Sequence, residues 1–322
     1  MKFDMEKSVT RAQALELMKE RWRPAPGREV VALEEALGRV SAEDLRAVNT
    51  LPVFRASCFD GVAVRSADFQ NGLPDTSAWV KGRNFVRADT GDDFPDEFDT
   101  VIAIEDVILD KLGGLRFAEG FAFDPEEETV DPAGTIVKEG ALLVPAHTRI
   151  TPELTASLAM GVLRRPRIAF IPTGSELIPP GAVPQRGQNV ETNGLMLTGL
   201  LNRRGAEVIR HPIVRDDAAA LERAMDEALS CADLVLINGG SSRGGGGFNS
   251  HMLERRGSFF RHGVKAVPGR PVGFAIVDGK PVINVPGPVA AAYLAEHWCL
   301  SALVCHWYGL PDPQYPTVRA VL

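Results

Sequence analysis

The spacing of apolar positions changes twice along this chain. Thr10-Arg-Ala-Gln13 opens the first periodic stretch as a capping box, in which a hydroxyl and an amide three residues apart serve each other's backbone N–H. The helix that follows carries Ala14, Leu15, Leu17 and Met18 on one side. Leu33, Ala36 and Leu37, ending at Gly38, give a second short helix, and the polar-capped stretch Ser41–Leu45 extends the helical reading of the first fifty residues. From Leu51 to Lys138 the texture differs. Short apolar runs (Gly61–Arg65, Val101–Ile104, Leu115–Phe117) alternate with turn residues, and Asp89, Asp92, Asp93, Asp96, Glu97 and Asp99 crowd one stretch. This pattern predicts a small β-rich domain. Gly140–Val144 and Thr151–Met160 then read as a strand and a helix that return the chain to its first segment.

From Arg167 the pattern is regular. Ile168–Ile171, Glu207–Ile209 and Leu234–Ile237 read as short buried strands, with helices at Leu195–Asn202 and Ala218–Ser230 between them. Val272–Val277 and Pro281–Val285 are two further strands, and a helix runs from Val289 to Trp307. Strands alternating with helices of this length predict βαβ units, hence an α/β domain with a doubly wound, mostly parallel sheet. The domains expected are a helical linking domain (1–50 and 139–166), a β-rich domain (51–138) and the α/β domain (167–311), with 312–322 a short remainder.

Composition narrows the function classes. The 322 residues carry a formal net charge of −7, which argues against a nucleic-acid partner bound through its phosphates. A small anionic ligand remains compatible, since a local pocket can be positive on an acidic protein. Cys58, Cys231, Cys299 and Cys305 show no paired spacing, and free thiols in a reducing cytoplasm fit them. The N-terminal stretch lacks a signal-peptide core, and no run approaches the ~18 apolar residues of a membrane span. The expectation is a soluble cytoplasmic protein without membrane contact.

In a parallel sheet of this kind, ligands sit at the carboxyl ends of the strands. Those ends carry Thr173-Gly-Ser-Glu-Leu177, then Asp216-Asp217, then the loop Gly239–Gly247, then Pro286-Gly-Pro288. Glycines let a loop turn its N–H groups onto an anion, with Ser241, Ser242 and Arg243 beside them. Neither the dinucleotide fingerprint nor the Walker pattern fits this loop, and a flexible surface loop is the bland alternative. Glu176 and Asp216 are the carboxylates best placed to act on a ligand or a divalent ion. Asp216-Asp217 equally reads as the cap of the helix starting near Ala218. Asp60-Gly61, between two apolar runs, is by itself a turn signal.

Taken together, these segments resemble the MoeA family, the molybdopterin molybdenumtransferases. The family's LPxFDNSAMDGYAVR appears as LPVFRASCFDGVAVR, STGDEL as PTGSEL, and DSN as Glu191-Thr-Asn193. GIVRDD appears as PIVRDD, SGGVSVG as NGGSSRG, HKVAMKPGKP as HGVKAVPGRP, and GLPGNPVSA as NVPGPVAAA. The resemblance implies catalytic positions at Asp60, Thr90, Glu176 and Asp216, with Mg2+ near Glu176 and Asp216. It implies that adenylylated molybdopterin is held by Thr173, Gly174, Ser175, Asn193, Gly239, Gly240, Ser241, Ser242, Gly244, Pro268, Gly269, Arg270, Pro286 and Gly287, with molybdate as co-substrate. It further implies a homodimer whose sites are assembled between subunits, other cofactor-synthesis proteins as partners, and a C-terminal β-domain that this sequence does not extend into. Four family positions differ: Ile136 and Gly247 stand where the family has aspartates, Val267 where it has a lysine, and Ala291 where it has a serine. Arg270 replaces a second lysine and keeps its charge. The lost carboxylates leave open a carrier or sensor of the cofactor in place of a transferase.

Overall fold

The capping box forms as the sequence predicts. In the computed structural model, which describes residues 8–110, 113–152, 160–240 and 248–315, the Thr10 Oγ1 accepts from the Gln13 N–H (3.2 Å) and the Gln13 Oε1 accepts from the Thr10 N–H (2.9 Å). They start helix α1 (Arg11–Arg21), which buries Ala14 and Met18. The helical reading of the next thirty residues holds only for Leu33–Ala36. Arg28–Val31 is a strand paired antiparallel with Met160–Leu163. Ser41–Leu45 is no helix either. Val40 and Ser41 bridge to Arg149 and Val162, because their backbone groups find strand partners far along the chain. Residues 153–159, within the helix expected at Thr151–Met160, lie outside the described residues.

Two units emerge from the contacts, one of residues 44–145 and one of residues 1–43 with 146–322. The first is built around a three-stranded antiparallel sheet, in which β1 (Gly61–Val64) lies between β2 (Val86–Ala88) and β3 (Thr100–Ala103). Val62 and Val64 face one cluster, with Phe69, Phe85, Ile102 and Leu115, while Ala63 faces another, with Ala88, Phe94, Phe98 and Val101. Both faces of β1 are covered, so all four of its residues are buried. Asp60-Gly61 is therefore not a turn centre: Gly61 opens the middle strand. A Cβ there would stand 2.2 Å from the Ile102 carbonyl oxygen, so the glycine is required by close approach of a neighbouring strand.

The second unit contains the doubly wound sheet. Its strands are β4 (Arg167–Pro172), β5 (Glu207–Arg210), β6 (Leu234–Asn238), β7 (Phe259–His262), β8 (Gly273–Val277) and β9 (Lys280–Val285), in spatial order β5-β4-β6-β9-β8-β7. Pairings β4–β5, β4–β6 and β6–β9 are parallel; β8 and β7 are antiparallel additions at one edge. The change of sense comes from Asp278-Gly279, both at positive φ (51° and 75°), which closes β8 onto β9 as a two-residue hairpin. Strand β7 carries no sequence signal of its own beyond two phenylalanines.

Alternation along the strands divides the core between the two faces of the sheet. Ile168, Phe170, Leu236, Phe274 and Ile283 pack with α1, α2 (Asn193–Arg203) and the C-terminal helical run. Ala169, Ile171, Val235, Ile237 and Val282 pack with α3 (Ala218–Cys231) and α4 (Phe248–Arg256). The C-terminal run is continuous from α5 (Val289–Ala295) through a π-helical turn at Glu296–Leu300 into α6 (Ser301–Tyr308). The cysteines are free thiols, with Cys299 fully buried in this run and its pKa raised by desolvation. Among the described residues no helix is long and apolar enough to cross a membrane.

The tight contact at Gly61 yields a direct test. Gly61→Ala drives a methyl into the Ile102 carbonyl and is expected to destabilise the β-rich unit by about 2–3 kcal/mol, the cost of overpacking a closed core. Urea denaturation checks it, and an unchanged midpoint would mean that β1 and β3 separate freely.

Candidate functional site

Strand β4 has β5 on one side and β6 on the other, so the chain switches direction across the sheet at the β4–β6 boundary. A crevice opens at the carboxyl ends of strands at such a point. Here Thr173 N–H donates to the Asn238 carbonyl (2.8 Å) and Gly239 N–H to the Val285 carbonyl (3.0 Å), which draws the ends of β4, β6 and β9 together. Gly239 has φ 109°, and a Cβ on it would lie 2.3 Å from the Thr173 carbonyl oxygen. Only glycine fits. Next to this crossing lies a cleft of about 450 Å³, lined by Thr173, Glu176, Asn193, Asn238, Gly239, Gly287 and their neighbours.

The floor of the cleft is an amide network. Asn193 Nδ2 donates to Asn238 Oδ1 (2.9 Å) and to the Gly287 carbonyl (2.7 Å). Asn238 Nδ2 donates to the carbonyls of Val285 (3.3 Å) and Pro286 (2.9 Å). Asn249 Nδ2 donates to the Gly239 carbonyl (2.9 Å), and Asn284, fully buried, turns its amide nitrogen to the carbonyls of Ile237 and Gly239. The amides serve backbone carbonyls at and just past the strand ends, and the Val285 carbonyl takes Asn238 as a second donor beside the Gly239 N–H. Sequence reasoning missed Asn238, Asn249 and Asn284. The signal for two of them was present: Leu-Val-Leu-Ile-Asn238 and Val-Ile-Asn284 each put one amide inside an otherwise apolar buried strand.

Asp216 and Asp217 separate cleanly. Asp217 is the N-cap of α3, its Oδ1 accepting from Ala220 N–H (2.6 Å). Asp216 takes no part in the cap and pairs reciprocally with Ser175. Glu176 lines the cleft, and its carboxylate lies over the α-carbon of Gly174, whose φ is 146°. Glu191 accepts from the Gly194 N–H at the start of α2 (2.7 Å), which leaves Asn193 turned to the cleft floor.

Of the residues expected to hold a ligand, Thr173, Asn193, Gly239 and Gly287 line the cleft, and Pro286 supports its floor. Gly174 and Ser175 shape the loop that brings Glu176 in, and Gly240 follows at φ 50° beside Asn249. Pro268, Gly269 and Arg270 fall on the connection from β7 to β8 and are absent from the described lining. Ser241, Ser242, Gly244 and Gly247 lie outside the described residues. Two of the positions that differ from the family, Ile136 and Val267, are exposed at 78% and 76%, while Ala291 is buried in α5.

Asp60 and Thr90 belong to the β-rich unit and are joined there. Asp60 Oδ1 accepts from both the N–H (2.8 Å) and the Oγ1 (2.9 Å) of Thr90. The backbone N–H first, then the hydroxyl, hold the exposed carboxylate below its ordinary value, with Arg87 adding a smaller pull. Residues 9–161 match the family described as MoeA N-terminal region (domain I and II), and residues 169–304 match the one described as probable molybdopterin binding domain. A molybdopterin molybdenumtransferase of Haemophilus influenzae is 30% identical over 303 residues, covering 87% of this chain and 73% of that protein.

The chain belongs to the MoeA family.

Molybdopterin molybdenumtransferase 2 of Mycobacterium tuberculosis is also 30% identical, over 91% of this MoeA-family chain and 78% of its own length. The crystal structure of a molybdopterin biosynthesis MoeA protein from Pyrococcus horikoshii superposes with a TM-score of 0.75 at 27% identity, covering 94% of this chain and 81% of that one. The family's function is molybdenum cofactor biosynthesis.

The Asp60–Thr90 pair makes a pH prediction with a definite sign. A depressed folded pKa means that the carboxylate's contribution is present above the unfolded value and is lost as pH falls through the folded one. Carboxyl 13C titration is expected to place Asp60 below the ordinary 3.8. Thr90→Val is expected to raise the midpoint only in part, since the N–H of residue 90 remains. A wild-type midpoint at or above 3.8 would overturn the assignment.

Proposed function

We propose that this MoeA-family chain transfers molybdenum from molybdate to adenylylated molybdopterin, with release of AMP, at the cleft beside Gly239. The observation that carries the reading is the cleft itself. Its walls are strand-end backbone supported by asparagine amides, with the Glu176 carboxylate on the lining and Asp216 held on the adjoining Ser175. A crevice of this kind at the carboxyl ends of parallel strands is where such sheets take a small polar ligand such as a pterin. Relatives named as molybdenumtransferases favour an enzyme over a carrier or sensor.

Glu176 and Asp216 are the groups that would hold a divalent cation such as Mg2+. Among the described residues no cluster of three or more His, Cys, Asp or Glu could form a closed cage. An open pair fits Mg2+, which takes one or two protein carboxylates and completes its shell with water and phosphate oxygens. When bound, the cation neutralises charge on the pyrophosphate linkage to AMP. The chain's own residues do the rest: Thr173, Asn193 and Gly239 seat the pterin end. Gly174 clears space for the Glu176 carboxylate. We extend the reading to Pro268–Arg270 as a cationic edge, to a cytoplasmic location and to a homodimer. The homodimer rests on the family's habit of assembling sites between subunits.

Incubating the purified chain with adenylylated molybdopterin, Mg2+ and molybdate tests the reading. Molybdate-dependent AMP release is expected, and Glu176→Gln should slow it by about a hundredfold, the range for loss of one catalytic polar group. Tight pterin binding with no AMP above background would establish the carrier reading instead. Light scattering should give twice the chain mass, and a monomer would remove the homodimer.

A further inference from the structure

Ser175 has its N–H, its carbonyl and its hydroxyl all engaged by two consecutive residues of the neighbouring segment. Its N–H donates to Asp216 Oδ2 (3.0 Å), its Oγ accepts from the Asp216 N–H (3.0 Å), and its carbonyl accepts from Arg215 Nη1 (3.3 Å). Beneath it the two segments pair again after a break in register. Val214 N–H donates to the Pro172 carbonyl (2.8 Å), and Gly174 N–H to the Val214 carbonyl (3.0 Å). The two segments are thus zipped together well past the last residue pair of β4 and β5.

The Glu176 side chain has no comparable anchor, while the residue's backbone carbonyl accepts from the Asn189 N–H (2.9 Å). Among the described residues its carboxylate accepts no hydrogen bond, and its oxygens lie where a Cβ on Gly174 would meet them at 2.5 and 2.7 Å. What aims this side chain is the backbone that carries it, held by Asn189 on the Glu176 carbonyl and by Arg215 on the Ser175 carbonyl. The Ser175 carbonyl belongs to the planar group linking Ser175 to Glu176, so a donor fixed on that oxygen fixes the direction in which the Glu176 backbone departs.

We propose that Arg215 is a positioning residue for the reaction, setting the place of the Glu176 carboxylate through the Ser175 carbonyl. The proposal rests on the reading of Glu176 and Asp216 as the cation-holding pair. Positioning and simple charge predict opposite signs. Removing a nearby cation strengthens binding of a divalent ion if Arg215 acts only by Coulomb repulsion. Removing a clasp weakens it.

Mn2+ binding to the full chain without substrate, followed by electron paramagnetic resonance, separates the two. Arg215→Gln is expected to raise the Mn2+ dissociation constant about 3- to 10-fold, the worth of one ordinary hydrogen bond, since this contact is long and exposed. Arg215→Lys, which keeps the charge and a single donor head, should fall between the two. Unchanged or tighter binding in Arg215→Gln overturns the proposal. In turnover, kcat should drop while KM for the adenylylated substrate stays within about twofold, since a residue that acts through another leaves ground-state binding alone. A rise in KM alone would make Arg215 a substrate contact and also overturn it. Wild type that binds no Mn2+, or Glu176→Gln with undiminished affinity, sinks the cation reading itself and this proposal with it.

Discussion

The carbonyl oxygen of Thr173 occupies the volume that a side chain at residue 239 would need, and the architecture of the cleft follows from that contact. Because residue 239 has no Cβ, β6 can run its last residue against β4 in register, Pro172 opposite Asn238, and still leave the sheet at φ 109°. Three parallel strand ends converge there with more backbone acceptors than the ladder can serve. Four asparagines supply the missing donors. Their amides are short, uncharged and two-headed, so they satisfy carbonyls in a buried place without the desolvation cost of a charge.

The β-rich unit rests on a similar economy. Gly61 is admitted to a central strand because the Ile102 carbonyl comes too close for anything larger, and the residue just before it is held in place by the backbone and hydroxyl of Thr90. In both units a chemically interesting residue thus stands beside a glycine whose function is steric. Backbone approach comes first, and the polar side chain inherits a defined position from it.

The βαβ order and the strands of the α/β unit were legible because buried parallel strands leave continuous apolar runs, as in Ile168–Ile171 and Leu234–Ile237. The early segment misled for a physical reason. Arg28–Val31 and Val40–Ser41 take strand partners more than a hundred residues away, and local periodicity does not report on those. Asp216 and Asp217 show the same limit at the scale of one site. Adjacent identical residues carry identical local signals, and only the reach to Ser175 or to Ala220 divides a site carboxylate from a helix cap. The strand-end asparagines were visible as letters but not as a network, since their meaning lies in carbonyls contributed by other strands.

The sequence Asn238-Gly239 also has a chemical lifetime. In a flexible chain, an asparagine followed by glycine ages fastest of all, because the unhindered glycine nitrogen attacks the side-chain amide and closes a succinimide ring. In the folded protein that nitrogen is committed to the Val285 carbonyl, and the amide is pinned by Asn193, Val285 and Pro286. The nucleophile and its target are held in separate hydrogen bonds. The packing that shapes the cleft therefore also protects it from spontaneous deamidation, and each excursion to the unfolded state exposes the dipeptide to irreversible damage at the floor of the site.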